Sequence, residues 1–211
     1  MRLQGSPAST NRAELDVRLL DQLQRGCAEM GLELSSQQQA LLLAYLELLT
    51  KWNSAYNLTA VRDPSQMVTR HLLDSLAIAP HLGGLNTADV GTGAGLPGIP
   101  MAILFPGLQF SLLDSNGKKT RFLFQVKTAL GLDNMLVHQT RVESFRPREL
   151  FDTVMSRAFA SLTDMVAGCR HLLAPGGRFL AMKGAYPTEE LAVLDPACLV
   201  SKVHALRVPG L

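Results

Sequence analysis

Four glycines fall within residues 89–98, which read Asp-Val-Gly-Thr-Gly-Ala-Gly-Leu-Pro-Gly. An apolar, β-prone run leads into this segment, and a helix-compatible run, residues 99–105, follows it. A glycine turn between a strand and a helix lets the backbone approach a ligand closely, and the helix start offers unpaired N–H groups. The segment therefore predicts a site for a nucleotide or nucleoside cofactor.

The glycine spacing fits two classes of cofactor. Residues 93–98 match the dinucleotide pattern G-x-G-x-x-G, whereas residues 91–95 match G-x-G-x-G. The second pattern is that of S-adenosylmethionine-dependent methyltransferases, and Asp89 supplies the acid that they carry two positions upstream. Asp114 ends the next apolar run, where a carboxylate can accept both ribose hydroxyls of either cofactor. A turn residue at the strand end is the alternative for Asp114, and the spacing alone leaves both cofactors open.

Composition narrows the class of protein. Of the 211 residues, 47% are hydrophobic and 18% are charged, which is typical of a globular chain. No apolar run approaches the roughly 20 residues of a membrane span. The three cysteines, Cys27, Cys169 and Cys198, lack metal or redox spacing and fit a reducing compartment. We therefore expect a cytoplasmic protein that has no membrane or metal partner.

The first part of the chain predicts helices only. Residues 1–13 are polar and are expected to form a disordered tail. Residues 14–82 show helical spacing of apolar residues without strand signals, which predicts a helical cap. Ser35 or Ser36 with Gln38 or Gln39 forms a capping-box pattern, and Asp63 followed by proline marks another helix start.

Residues 83–211 predict a Rossmann-like domain. Apolar β-prone runs alternate with helical patterns, which indicates a mostly parallel sheet with flanking helices. The predicted strands are 87–90, 109–113, 134–138, 151–155, 178–183 and, as a sixth, 199–208. The predicted helices are 98–105, 117–131, 161–173 and 187–195. Methyltransferase sheets of this class have a last, antiparallel strand, and we expect it to be missing from this chain.

The predicted third helix carries candidate substrate contacts. Its apolar stripe consists of Val68, Leu72, Leu76 and Ala79. Arg70, His71 and Asp74 occupy the opposite arc, either as a surface ion pair beside a hydrogen-bonded histidine or as a contact to RNA or to a cofactor pocket. Lys183 ends the fifth predicted strand, at the edge where ligands bind in such sheets, and suits a phosphate. A solvated lysine is the alternative there.

Two further features bear on nucleic acid. Between residues 51 and 127 lysine and arginine outnumber the acids, so a polyanion could meet a basic surface, although a solvated helix face is an equal alternative. Trp52 and Tyr56 could stack on a base, but Trp52 continues an apolar stripe and is expected in the core.

Several segments together resemble one family, the bacterial small-subunit ribosomal RNA methyltransferases called RsmG or glucose-inhibited division protein B. The segments are Lys51–Thr59, Arg70–Ser75, Asp89–Pro100, Leu112–Ser115, Ser156–Ala160 and Lys183–Gly184. The resemblance implies a class I methyltransferase fold, S-adenosylmethionine as cofactor, and methylation of nitrogen 7 of guanine 527 in 16S rRNA. It implies 16S rRNA or the small-subunit particle as partner, and we expect a monomer.

The resemblance also implies cofactor contacts. The family's binding positions fall on Gly91, Leu96, Val142, Glu143 and Arg157. Two more cofactor contacts are expected, Gly93 from the glycine pattern and Asp114 from the end of the next apolar run.

No residue is singled out as a catalytic base, because guanine nitrogen 7 has a lone pair and no proton to lose. Position 156, after the fourth strand, is serine and not the cysteine of pyrimidine-carbon methyltransferases. The alternatives are a methyltransferase for another RNA, a protein or a small molecule, an NAD-dependent oxidoreductase, and a non-catalytic RNA-binding module. The sequence lacks a Tyr-x-x-x-Lys pattern, which would have supported the oxidoreductase.

Overall fold

A computed structural model of the chain describes residues 7–157, 159 and 161–211. The α-helices are α1 (Pro7–Glu29), α2 (Ser36–Tyr56), α3 (Pro64–Met67), α4 (Asp74–Leu76), α5 (Gly98–Leu104), α6 (Gly117–Leu130), α7 (Leu162–Cys169) and α8 (Thr188–Ala192). The strands are β1 (Asn86–Val90), β2 (Gln109–Asp114), β3 (Met135–Gln139), β4 (Phe151–Arg157) and β5 (Leu173–Met182). A π-helical segment, Val68–Leu73, joins α3 to α4, and short 3-10 turns cover Ala79–His81, Val142–Ser144 and Arg170–Leu172.

The five strands form one parallel sheet in the order β3-β2-β1-β4-β5. The chain runs outward from β1 through β2 to β3, then returns to the other side of β1 for β4 and β5. Ligands bind in such sheets at the carboxyl ends of the strands where this reversal occurs. The predicted Rossmann-like sheet is confirmed, and its reversal point lies directly after β1, at the glycine segment.

The helix α2 ties the N-terminal helices to this sheet. Its predicted capping box is confirmed, since the side chain of Ser35 accepts the Gln38 N–H and the Gln38 side chain accepts the Ser35 N–H. The buried residues of α2 join the same core as α5 and α6. Tyr45 is fully buried, and its hydroxyl donates to the carbonyl of Ala94 at 2.9 Å. The helical part of the chain therefore holds the glycine segment directly.

The third predicted helix departs from α-helical geometry. Asp63 caps it as predicted, accepting the Ser65 N–H at 2.9 Å, with Pro64 at the first position. The π-helical segment that follows has a wider turn than an α-helix, which changes the direction in which its side chains point. His71, which was predicted on the arc opposite the apolar stripe, is buried within this segment.

Two other predictions are corrected. The helix α1 begins at Pro7, so the disordered tail is wrong for residues 7–13, and residues 1–6 lie outside the described part. The sixth strand at residues 199–208 is also wrong, because the segment forms no strand and only Val208 in it is buried. An apolar β-prone run becomes a strand only where a neighbouring strand pairs with it, and here β5 has no partner on its outer edge among the described residues.

The strand β5 begins earlier than predicted. Leu173 pairs with Phe151 and Arg178 pairs with Thr153, so residues 174–177 form an irregular insertion within the strand. The predicted turn Ala-Pro-Gly-Gly lies in that insertion.

In the described ranges, no helix is long and apolar enough to cross a membrane. The predicted boundary between residues 82 and 83 stays a prediction.

Candidate active site

A single buried carboxylate organises the glycine segment. Asp89 is fully buried, and its Oδ2 accepts the Thr92 hydroxyl at 2.6 Å and the Gly98 N–H at 2.8 Å. The end of β1, the loop and the first residue of α5 are thereby tied to one atom. Burial raises the pKa of the Asp89 carboxyl to about 6, although the hydrogen bonds from Thr92 and Gly98 act in the opposite direction.

The loop is also bonded to the neighbouring strand. The N–H groups of Gly91 and Thr92 both donate to the carbonyl of Leu113 on β2, at 2.9 and 3.1 Å. Gly91 adopts a left-handed conformation, with φ of 68°, and a Cβ built on it would meet no heavy atom of the described residues within 4 Å. Glycine adopts this conformation at little cost, so the backbone can turn here without strain. The missing side chain leaves open space beside the Cα.

Asp114 faces this loop from the end of β2. Its Oδ1 accepts the Asn116 N–H at 2.8 Å, and its Oδ2 accepts the Gly93 N–H at 3.0 Å. The ammonium of Lys119 lies 3.7 Å from the same Oδ2. A carboxylate oxygen can accept two hydrogen bonds, so the two backbone bonds fix the orientation of the carboxylate and leave acceptor capacity on both oxygens. This fits recognition of two adjacent hydroxyls.

A cleft of about 320 Å³ lies at this edge of the sheet. Its lining comes from the loop, from the ends of β2 and β3, and from the segment after β4. The lining residues are Val90, Gly91, Leu113, Asp114, Ser115, Lys119, Thr140, Arg141, Val142, Glu143 and Phe159. The structure thus brings Gly91, Asp114, Val142 and Glu143 together, while Gly93 holds Asp114 from the loop. The volume lies in the range of small-ligand pockets, roughly 300–1,000 Å³.

The other two predicted cofactor residues lie outside this lining. The side chain of Leu96 is buried in the main hydrophobic core. Arg157 ends β4, where its Nη1 donates to Asp74 Oδ2 at 3.0 Å and to the carbonyl of Arg70 at 3.1 Å. The guanidinium therefore joins the end of the sheet to the π-helical segment and to α4.

The predicted substrate residues differ in accessibility. Arg70 is exposed. The Nε2 of His71 lies 2.9 Å from Thr59 Oγ1, and burial lowers the pKa of His71. The Nζ of Lys183 lies 2.8 Å from Glu190 Oε2, and that oxygen also accepts the Leu162 N–H. Lys183 is therefore ion-paired with a carboxylate that also bonds to the start of α7, and it is not the solvated lysine weighed as the alternative.

Sequence reasoning missed Lys119 and Phe159 as cleft residues. For Lys119 a signal was present. Asn116 caps α6 and accepts the N–H of Lys118, so residue 119 had to lie in the first helical turn beside the end of β2. Phe159 carried no local signal, because its approach to the cleft depends on the path of the chain after β4.

Comparison with known proteins identifies the family. A family model described as rRNA small subunit methyltransferase G matches residues 38–211. The chain belongs to this family. A Ribosomal RNA small subunit methyltransferase G from Saccharophagus degradans is 59% identical over 189 residues, covering 90% of this chain and 85% of the relative. One from Pseudomonas paraeruginosa is 58% identical over 191 residues, covering 90% of this chain and 89% of the relative.

A solved structure agrees on the fold of this rRNA small subunit methyltransferase G family member. Coclaurine N-methyltransferase, bound to N-methylheliamine and SAH, superposes with a TM-score of 0.50 and 12% identity, covering 80% of this chain and 57% of that one. At this identity the likeness concerns the fold alone, which is that of a class I methyltransferase.

The burial of Asp89 predicts a pH effect on stability. Its pKa in the folded chain, about 6, lies above the ordinary value of 3.8, so folding favours the protonated form. The stabilisation is fully present below the ordinary pKa and is lost as the pH rises through the folded pKa. Relative to Asp89→Asn, the wild-type free energy of unfolding should therefore fall by about 2 kcal/mol between about pH 4 and about pH 7. Urea unfolding of both proteins measures this difference, and a difference that stays constant with pH would contradict the account.

Proposed function

We propose that this protein transfers a methyl group from S-adenosylmethionine to nitrogen 7 of guanine 527 in 16S rRNA. The observation that carries the proposal is membership of the rRNA small subunit methyltransferase G family, at 59% identity to a relative with that name. The cleft supports it, since Asp114 offers acceptors for ribose hydroxyls opposite the open space at Gly91. Family membership leaves the NAD-dependent alternative without support.

The cleft residues suggest how the cofactor would be held. Asp114 would accept the ribose hydroxyls, and the backbone of Val142 with the carboxylate of Glu143 would bind the adenine edge. Gly91 would leave room for the methionine part, with Gly93 keeping Asp114 in place and Leu96 packing behind the loop. Arg157 would pair with the cofactor carboxylate or an RNA phosphate, because a guanidinium has five N–H donors and, among the described residues, Nη1 alone is engaged, with Asp74 and Arg70.

The chemistry requires placement more than acid–base catalysis. S-adenosylmethionine supplies a methyl group on a sulfonium, which a lone pair can attack in line. Guanine nitrogen 7 loses no proton in the attack, so the protein's part is to hold the two reactants in line and exclude water. Ser156, near the end of β4, fits a site without a catalytic acid or base. Its hydroxyl donates to the Val90 carbonyl at 2.8 Å and supports the backbone.

The partners are proposed from the same reasoning. The substrate would be 16S rRNA, alone or within the small-subunit particle, and the protein would act as a cytoplasmic monomer without a metal ion. Arg70 is the exposed candidate for a phosphate contact. His71 would act only indirectly, through the segment that it stabilises, and Lys183 would reach a phosphate only by leaving Glu190.

Methylation mapping tests the proposal. The protein, S-adenosylmethionine and 16S rRNA or small-subunit particles lacking the modification should yield 7-methylguanine at position 527 alone, detected by chain cleavage at that base. Activity should fall steeply as salt rises, because lysine and arginine contacts to phosphates release counterions. Methylation at another base, or none in a protein that binds the cofactor, would contradict the proposed substrate.

Removing the Asp114 carboxylate should weaken cofactor binding. Asp114→Ala loses the acceptor for two ribose hydroxyls, which should lower affinity by about 1–3 kcal/mol. The free energy of unfolding should fall by only about 1 kcal/mol, because the Gly93 and Asn116 N–H groups lose their acceptor. Titration calorimetry with S-adenosylhomocysteine measures the affinity, and Asp133→Ala, an exposed aspartate, is the control. Equal affinity for Asp114→Ala and wild type would remove Asp114 from the site.

A further inference from the structure

An aromatic pair lies at the end of α2. The rings of Trp52 and Tyr56 are stacked, with centroids 5.2 Å apart and planes at 28°. Trp52 also contacts the fully buried Phe122 of α6, at 5.7 Å between centroids. Tyr56, the last residue of α2, is 39% exposed. The tyrosine ring is therefore supported from the core and still accessible to a partner.

The residues after Tyr56 end α2 and place a cation near the pair. Asn57 adopts a left-handed conformation, with φ of 50°, and its N–H donates to the carbonyl of Asn53, which ends α2. The side-chain oxygen of Asn57 accepts a hydrogen bond from Arg62 Nη2 at 3.0 Å. This bond holds the Arg62 guanidinium beside the end of α2.

The direction of α2 places the pair beyond the ligand edge of the sheet. The Gln38 side chain donates to the carbonyl of Leu104, at the far end of α5, and Tyr45 donates to Ala94 in the glycine loop. Because α2 runs from the first contact to the second, Tyr56 lies past the loop. Eleven residues separate Tyr56 from Tyr45, or about 16 Å at the rise of an α-helix. A group on Tyr56 would therefore lie away from the transferred methyl.

The charges around the pair suit a polyanion. Lys118 is exposed and lies one helical turn before Phe122, on the same side of α6. In the part of the chain that the structure describes, neither Lys118 nor Arg62 forms an ion pair. The one acid next to Arg62 in sequence, Asp63, is engaged as the helix cap, accepting both the N–H and the hydroxyl of Ser65.

We propose that Tyr56, supported by Trp52, is a stacking platform for an unpaired base of the substrate RNA that neighbours the target guanine, with Arg62 and Lys118 contacting the flanking phosphates. Proteins recognise single-stranded RNA by stacking splayed bases on aromatic rings and by neutralising the backbone with cations. This assignment rests on the proposed function and adds a substrate contact outside the cofactor cleft.

Intrinsic fluorescence tests the platform, because Trp52 is the chain's single tryptophan. A single-stranded oligoribonucleotide with the sequence around guanine 527 should quench Trp52 emission as it binds. Tyr56→Ala should weaken binding of this oligonucleotide about fivefold to a hundredfold, the range for one stacked base. Tyr56→Phe, which keeps the ring, should bind like wild type. Tyr186→Ala, at a tyrosine that is 68% exposed, is the control and should also bind like wild type.

The same variants separate this proposal from the proposed function. Tyr56→Ala should retain wild-type affinity for S-adenosylhomocysteine and a wild-type melting temperature, and its KM for RNA should rise. Wild-type oligonucleotide affinity in Tyr56→Ala overturns the platform. The platform is also overturned if Tyr56→Ala binds assembled particles more weakly but binds the oligonucleotide like wild type, because the surface would then be a contact for a ribosomal protein. If wild type methylates no ribosomal RNA, the proposed function fails, and the oligonucleotide titration still decides the platform.

Discussion

The carboxylate of Asp89 is the interaction on which the site depends. One of its oxygens accepts a hydroxyl from the loop and an N–H from the first residue of α5, so the strand, turn and helix keep a fixed relation. Burying a carboxylate has a large cost unless hydrogen bonds compensate it, and here the two bonds do so in part. The raised pKa of Asp89 shows that the compensation is incomplete.

The contacts of Asp89 determine the positions of the neighbouring groups in the site. The loop that Asp89 fixes presents the Gly93 N–H to Asp114, and the Gly91 and Thr92 N–H groups bond the loop to β2. The orientation of the Asp114 carboxylate and the open space at Gly91 therefore have one common origin. A cofactor would meet a surface whose shape is set before it binds, which limits the ordering cost of binding.

The N-terminal helices are part of the same arrangement. Tyr45 bonds the glycine loop from α2, and Arg157 bonds both Asp74 and the Arg70 carbonyl from the end of β4. The bond from Arg157 to the Arg70 carbonyl ends on the π-helical segment, a type of local geometry that is frequent at functional sites. These contacts join the helices to the edge of the sheet that carries the cleft, where we propose that the chemistry occurs, so the helices would position RNA relative to the cleft.

Features with local causes could be predicted from the sequence. The strand–glycine–helix order, the helix caps at Ser35 and Asp63, and the acid at Asp114 each follow from a few neighbouring residues. Other features depend on contacts between distant segments. The bond from the Leu162 N–H to Glu190, which also pairs with Lys183, is of this kind, and so is the lack of a partner strand for residues 199–208 among the described residues.

The inward position of His71 has a different cause. A periodicity of 3.6 residues places it opposite the apolar stripe, but α1 packs against this π-helical segment and the Thr59 hydroxyl lies at the His71 Nε2, so the side chain is buried. Local sequence carries no marker for these contacts. The start of α1 at Pro7 was missed because a polar composition does not by itself exclude a helix.

The central claim is that the open space at Gly91, held by Asp89 and facing Asp114, receives S-adenosylmethionine. Titration calorimetry of S-adenosylhomocysteine and NAD into wild type, Gly91→Val and Gly176→Val tests it most directly. Gly176 is the matched control, since it shares a positive φ, 79°, and open surroundings but lies in the β5 insertion. The account predicts that wild type and Gly176→Val bind S-adenosylhomocysteine and not NAD, while a folded Gly91→Val binds neither. Binding of NAD by wild type, or unchanged S-adenosylhomocysteine affinity in Gly91→Val, would contradict it.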